Sequence, residues 1–218
     1  MSKYPDYFNS KINGFIAIAP VYSLKYTTVS AIKYLMHFKM DYIIKALGIN
    51  EFMRSYTNDF TMYYLCKYIG FACNGLMDLI SDEDSVHDND QTTFKTYFGH
   101  YPAGTSVKGM IHFGQIYKSG FFSEYDYGSV ENLKRYYSIY PPTYKVEDIK
   151  MPTCILYGNH DKLSTHKDNL VLKEKLDKNG NIVLFKQYEN FGHLTWIIPK
   201  TNEHIKDIID CSEKFNGI

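Results

Sequence analysis

Two short apolar runs near the end of the chain, Thr153–Tyr157 (TCILY) and Ile182–Tyr188 (IVLFKQY), constrain the fold more than any other feature. Between them lies a helix-period segment, expected over Asn169–Asp177, that Asn179-Gly180 breaks. A further helix is expected at about Asn202–Phe215. Strand, helix, strand, helix with short links is a βαβ pattern, whose strands run parallel with a right-handed crossover. A third apolar run, Ile12–Val21 (INGFIAIAPV), is bounded by Asn-Gly and Pro and suits a buried strand better than a helix.

The stretch from about Thr27 to Pro142 is helical in character. In Val29–Leu47, apolar residues recur in three- and four-residue steps until Gly48. Thr57 or Asn58 is expected to cap a second helix reaching about Leu79, although Gly70 and Gly75 weaken it. Thr105 is expected to cap a third, Ser106–Lys118, closed by Gly120. A fourth, Val130–Tyr140, must end before Pro141-Pro142. Aromatics crowd this region at Tyr63, Tyr64, Tyr68, Phe71, Phe113, Phe121, Phe122, Tyr136 and Tyr137. Most are expected to pack between helices, with a minority lining a lipid-sized groove. The whole reads as an α/β scaffold with one strand before a helical insertion and two after it.

A chain of 218 residues with 44% hydrophobic content supports one substantial core, or one core carrying a smaller insertion. The 24 Lys and Arg balance the 24 Asp and Glu, which removes any electrostatic reason to expect nucleic acid or an anionic membrane as partner. The longest uncharged apolar stretch, near Gly14–Leu24, is far too short for a membrane span. The first residues lack the basic-then-apolar layout of a signal peptide. The acidic run Ser81–Asp90 (SDEDSVHDND) reads as a solvated loop. Cys66, Cys73, Cys154 and Cys211 show no CxxC pair or metal-ligand spacing and read as buried thiols.

In open parallel sheets, functional groups collect beyond the carboxyl ends of the strands. Two polar groups fall there. Asp161 follows the TCILY run in GNHD, and His193 follows IVLFKQY in NFGHLTW. One strand–helix unit joins them, so their loops open on the same sheet edge. A histidine of near-neutral pKa can take a proton from a hydroxyl nucleophile and return it to the leaving group. A buried carboxylate on its other nitrogen fixes the tautomer. Acid then histidine late in the chain is the α/β-hydrolase order, in which serine comes first. The alternatives are a structural or surface histidine and, more weakly, a metal site from His160, Asp161 and His166, for which no further ligand is evident.

The words around these residues resemble the acid lipase family of α/β-hydrolases, the group of gastric and lysosomal acid lipases and their invertebrate relatives. FIAIAPVYSLKYT is similar to the family's strand after the nucleophile. His100–Ser129, with PAGTS, KSGFF and YDYG, resembles its cap segment. PPTYKVEDIKMPTCILYGNHD resembles the passage that places the triad acid on Asp161, and FGHLTWI the passage that places the triad histidine on His193. The fold class so implied is α/β, a partial α/β-hydrolase fold (few-stranded parallel sheet) with a helical cap insertion. Residues 1–26 and 146–218 would form the hydrolase core and residues 27–145 the cap.

The resemblance implies a carboxylic-ester hydrolase acting on neutral lipids, triacylglycerols or sterol esters, with no metal or organic cofactor. The partner is then the neutral lipid ester, met at a lipid interface through the cap, and a full-length parent would be secreted or lysosomal. Three departures stand out. No G-x-S-x-G occurs; the nearest lookalike, Gly104-Thr105-Ser106-Val107-Lys108, lacks the last glycine and opens a helix. The segments that would supply both oxyanion-hole donors are missing as well. Thr195 stands where many relatives carry an acidic residue after His-Leu. No family disulfide is carried over, since a partner for Cys66 is not evident. MSKYPDYFNSKI resembles the end of the helix after the nucleophile. Met1 is therefore expected to be internal to a longer lipase, with the serine roughly a dozen residues upstream. The chain alone is expected to be inactive. The other reading is a non-catalytic lipid- or partner-binding pseudo-lipase, against which the joint presence of Asp161 and His193 weighs.

Overall fold

The computed structural model describes residues 1–29, 50–52, 55–100 and 104–217. The helix expected over Val29–Leu47 lies outside these residues, apart from Val29. The anticipated parallel sheet is present. Strands β1 (Phe15–Ile18), β4 (Thr153–Gly158) and β5 (Ile182–Tyr188) form it in the order β1-β4-β5, all parallel. β1 is shorter than its apolar run because Ala19 takes a left-handed φ of 46° and Pro20 follows. A smaller antiparallel pair joins β2 (Glu51–Phe52) to β3 (Thr105–Ser106).

The central strand β4 is buried at every position, which explains why TCILY shows no polar alternation. Successive side chains of a strand leave on opposite faces, and each face has its own helix. On one face Ile155 and Tyr157 pack with Ala17, Leu172 and Leu176, the last two from helix α8 (His166–Leu176). On the other, Leu156 packs with Tyr188 and Phe191, against which lie Trp196 and Ile208, the latter from helix α9 (Glu203–Asn216). A disulfide between Cys154 and Cys211 fastens α9 to the central strand. Helices on both faces of a small parallel sheet are the layered α/β arrangement that the βαβ pattern requires.

Among the described residues the remaining helices are, in chain order, α1 (Pro5–Asn9), α2 (Ser55–Tyr68), α3 (Gly70–Ile80), α4 (Ser85–Asp88), α5 (Gln91–Tyr97), α6 (Val107–Ser119) and α7 (Ser129–Tyr136). Where one helix was expected up to Leu79 there are two, broken at Ile69 (φ −125°, ψ 53°). Seven residues of continuous helix would advance roughly 10 Å, too far for a disulfide. The break brings Cys66 and Cys73 to a Cα separation of 5.5 Å, and they are bonded. The four cysteines are therefore buried as expected but are not thiols. Ser106, not Thr105, caps α6, accepting from Gly109 N at 2.9 Å, because Thr105 is paired with Phe52. Gly120 closes α6 at φ 69°, and α7 ends early at Tyr137, φ 57°.

Two further expectations are corrected. Of the nine crowded aromatics none is fully buried, and Tyr64, Tyr68, Phe71, Phe113, Phe121 and Tyr137 are exposed. Ser81–Asp90 is not a solvated loop. Asp82, Ser85, Asp88 and Asn89 are all buried, for reasons that become clear at the sheet edge.

Candidate active site

Beyond the carboxyl ends of β4 and β5 the two loops run against each other. His160 N donates to Phe191 O (3.0 Å) and Asn159 N to Tyr188 O (3.0 Å). The approach is close enough to demand glycine: a Cβ on Gly158 would sit 1.9 Å from the Phe191 carbonyl oxygen. This contact brings Asp161 and His193 together. His193 Nδ1 lies 2.9 Å from Asp161 Oδ2. The other oxygen, Oδ1, accepts from Leu163 N (2.8 Å) and Ser164 N (2.7 Å), so the carboxylate is held from both ends.

The same turn is tied to the loop after β1. Ser164 Oγ donates to Pro20 O (2.8 Å) and Thr27 Oγ1 to Lys162 O (2.7 Å). Asp168, fully buried, accepts from Ser23 Oγ, Tyr26 N and Thr165 Oγ1. All three parallel strands thus send their following loops into one polar-bonded cluster. The His193 loop is closed on itself: Gly192 N donates to Thr195 Oγ1 at 2.9 Å. Thr195 therefore has a definite job in holding the loop.

The acidic segment supplies the remaining wall. Asp82 and Asp161 form an antiparallel bridge, flanked by Lys162 N to Ser81 O (2.9 Å) and Glu83 N to His160 O (2.9 Å). Asp82 Oδ1 accepts the backbone N–H of His193 and, at 3.3 Å, that of Leu194. Its Oδ2 is buried with no hydrogen-bond partner among the described residues. Gly192 makes room for this carboxylate, since a Cβ there would stand 2.5 Å from its Cγ. Further along, Asp88 Oδ2 meets His160 Nδ1 at 2.7 Å, and Asn89 bridges Pro199. Behind the segment, Cys66, Cys73 and Met77 pack with Leu194 and Ile198 of the His193 loop.

Charges follow from this burial. Burial pushes the Asp82 carboxyl up to about 6, against the pull of the two N–H donors, and the neighbouring Asp161 adds to the rise. Burial alone would lower His193, but the hydrogen bond and charge of Asp161, with the charge of Asp82, raise it above its ordinary value. Burial likewise raises Asp88, opposed by its bond to His160.

With Asp161 accepting from Nδ1–H, Nε2 is the basic nitrogen of His193, and among the described residues nothing bonds to it. The arrangement can accept a proton from a hydroxyl placed at Nε2 and stabilise the resulting imidazolium. The residues of the metal alternative are drawn to separate partners: His160 to Asp88, Asp161 to His193, and His166 to the Tyr157 hydroxyl at 2.9 Å. Asp82 went unrecognised in the sequence because its partners lie 111 residues away.

A small parallel sheet thus carries an acid–histidine pair beyond its carboxyl edge, where ligands bind in open α/β sheets. The relatives are more specific. Gastric triacylglycerol lipase of Homo sapiens is 31% identical over 205 residues, 91% of this chain and 50% of the relative. Lipase member K of Homo sapiens is 27% identical over 212 residues, 94% of this chain and 52% of the relative. Tear acid lipase-like protein of Mesocricetus auratus is 29% identical over 213 residues, 94% of this chain and 51% of the relative. No family model matches the chain. Over most of its length the chain is thus a homologue of the acid lipases. It spans about half the length of the curated relatives it matches.

Proposed function

We propose that the chain supplies the acid, Asp161, and the base, His193, of a Ser–Asp–His ester hydrolase acting on neutral lipid esters such as triacylglycerols or sterol esters. The serine would come from polypeptide outside these 218 residues, since no G-x-S-x-G occurs within them. The observation that carries this reading is the 2.9 Å contact of His193 Nδ1 with a doubly anchored Asp161, with Nε2 left to act. In the full site His193 takes the serine proton as the hydroxyl attacks the ester carbonyl, then protonates the leaving alcohol. Water repeats the sequence to release the acid.

Residues 27–145 would act as the cap over the acyl chain. Their α2–α3 break turns Tyr68 and Phe71 out to solvent, 74% and 81% exposed, while the inner side packs on the His193 loop. This outer surface is the part proposed to meet the lipid interface, where amphipathic aromatics are stable. Among the described residues no helix is long and apolar enough to cross a membrane. Two disulfides point to maturation in an oxidising compartment, which fits a secreted or lysosomal parent.

Two proteins test the proposal. The purified chain should hydrolyse p-nitrophenyl butyrate no faster than buffer, because loss of a triad serine costs roughly 10⁶ in kcat. Fused to the half of human gastric triacylglycerol lipase that it does not match, it should become active. His193→Ala should then abolish turnover, and Asp161→Asn should lower it roughly 10⁴-fold. A folded, active fusion indifferent to His193→Ala sinks the triad assignment. Turnover by the chain alone that disappears with His193→Ala overturns the external serine.

A further inference from the structure

We propose that Asp82 is a positioning residue for His193, fixing the backbone of its loop while Asp161 holds the ring. The inference rests on the acid–base reading of Asp161 and His193 and extends it to a carboxylate from the acidic segment.

Four observations converge. One carboxylate oxygen of Asp82 accepts two consecutive N–H groups, those of His193 and Leu194. Two adjacent donors on one acceptor set the orientation of the peptide plane between them, and hence the direction in which the His193 Cβ leaves the backbone. Second, residue 192 is glycine and a Cβ there would overlap the Asp82 carboxylate, so the loop is shaped around it. Third, the Asp82–Asp161 bridge pairs the two residues backbone to backbone, which makes the spacing of their carboxylates a property of the backbone. Fourth, Asp82 is wholly buried and, among the described residues, its Oδ2 is unbonded. A buried carboxylate half without partners is costly, and nothing in packing alone calls for one when an apolar side chain would fill the space.

The titratable groups whose charge Asp82 feels are Asp161, from the loop after β4, and His193, from the loop after β5. Its neighbours along the bridge are otherwise engaged: Lys162 donates its ammonium to Asp78 O at 2.5 Å, and His160 faces Asp88. The negative charge of Asp82 therefore acts on His193 alongside that of Asp161. Asp82 does not touch the reacting atoms; it holds the residue that does.

The test uses the 218-residue chain and the ring Hε1 resonance of His193, titrated through the neutral range, together with amide hydrogen exchange. Asp161→Asn should lower the His193 midpoint; if it does not, the acid–base pair itself is wrong, whatever Asp82 does. Asp82→Asn keeps an oxygen for the two N–H groups but removes the charge. It should lower the midpoint by about half a pH unit or more while leaving the His193 and Leu194 amides protected. Asp82→Leu removes the acceptor and should speed exchange of those two amides about tenfold or more. An unmoved midpoint in Asp82→Asn, or wild-type amide exchange in Asp82→Leu, overturns the inference with the pair intact. Should Asp82→Leu fail to fold, the Asp82→Asn midpoint decides.

Discussion

The loop of His193 is held by two supports of unlike design. On the sheet side, Asp161 is anchored by two backbone N–H groups and the imidazole, so both carboxylate oxygens are satisfied. On the acidic-segment side, Asp82 is just as buried, yet among the described residues one oxygen is bonded and the other is not. Each support also has a disulfide behind it, Cys154–Cys211 in the sheet layer and Cys66–Cys73 behind the segment. The difference is instructive: the carboxylate that meets the imidazole is surrounded by donors, whereas the one that holds backbone is tolerated with a deficit among the described residues. A deficit of that kind must show up as a dependence on pH.

The largest expected effect separates the two supports by their cross-links. The Cys154–Cys211 bridge closes a loop with a sequence separation of 57, the Cys66–Cys73 bridge one of 7. Loop-closure entropy then predicts a loss of about 4 kcal/mol for the Cys154→Ser/Cys211→Ser pair and about 2.5 kcal/mol for Cys66→Ser/Cys73→Ser. Urea unfolding of the two double variants measures this. A reversed order would mean that contacts of Cys66–Cys73 with the His193 loop outweigh chain entropy.

Next comes the pH dependence. Folded Asp82 titrates near 6 against an ordinary 3.8, so between those values the folded chain holds a proton the unfolded chain has released. Stability from this residue is present below about pH 4 and falls as pH rises to about 6, by about 3 kcal/mol in all. Raised His193 acts in the same sense at higher pH: its contribution is full below its ordinary value and fades as pH climbs through the folded one. Asp82→Asn should gain on the wild type as pH rises from 4 to 7, read as the difference in urea midpoints. A constant difference across that window would remove the contrast with Asp161.

Glycine gives a third comparison, smaller by about a kcal/mol. Gly192→Ala drives a Cβ into the Asp82 side chain and should cost about 2 kcal/mol. In an Asp82→Ala background most of that cost should vanish, a coupling that a double-mutant cycle in urea measures. Gly158→Ala meets the Phe191 backbone instead, so Asp82→Ala should leave its cost unchanged.

What could be read beforehand follows the reach of the interactions. β4, β5 and α9 were legible because strand length, Gly158 and the apolar spacing are local. The edge on which Asp161 and His193 meet was legible too, because one strand–helix unit separates them. Ser81–Asp90 was not: its charges look solvated unless one knows that His193, His160 and Pro199 will arrive from the far end of the chain. The cysteines failed for a related reason. Seven residues on an unbroken helix leave Cys66 and Cys73 too far apart to bond, and only the break at Ile69 changes that. The aromatics were misjudged because helical spacing says which residues share a face, not whether another layer covers it.

The smallest expected effect is on the loop itself. Thr195 Oγ1 accepts from the buried Gly192 N–H, the residue just before the two amides held by Asp82. Gly192, His193 and Leu194 thus present three consecutive donors, one bonded within the loop and two bonded across to the acidic segment. If Asp82 alone held the loop, Thr195→Val would leave the His193 and Leu194 amides as protected as before. If all three bonds share one backbone geometry, the variant leaves a buried donor unpaired, costs about 1 kcal/mol, and also loosens the neighbouring amides. Thr195→Ser keeps the oxygen and should restore their protection. Exchange of the His193 amide is the sensitive measure: acceleration in Thr195→Val with rescue by Ser makes the loop and the acidic segment one unit. An unchanged rate assigns the hold on His193 to Asp82 alone.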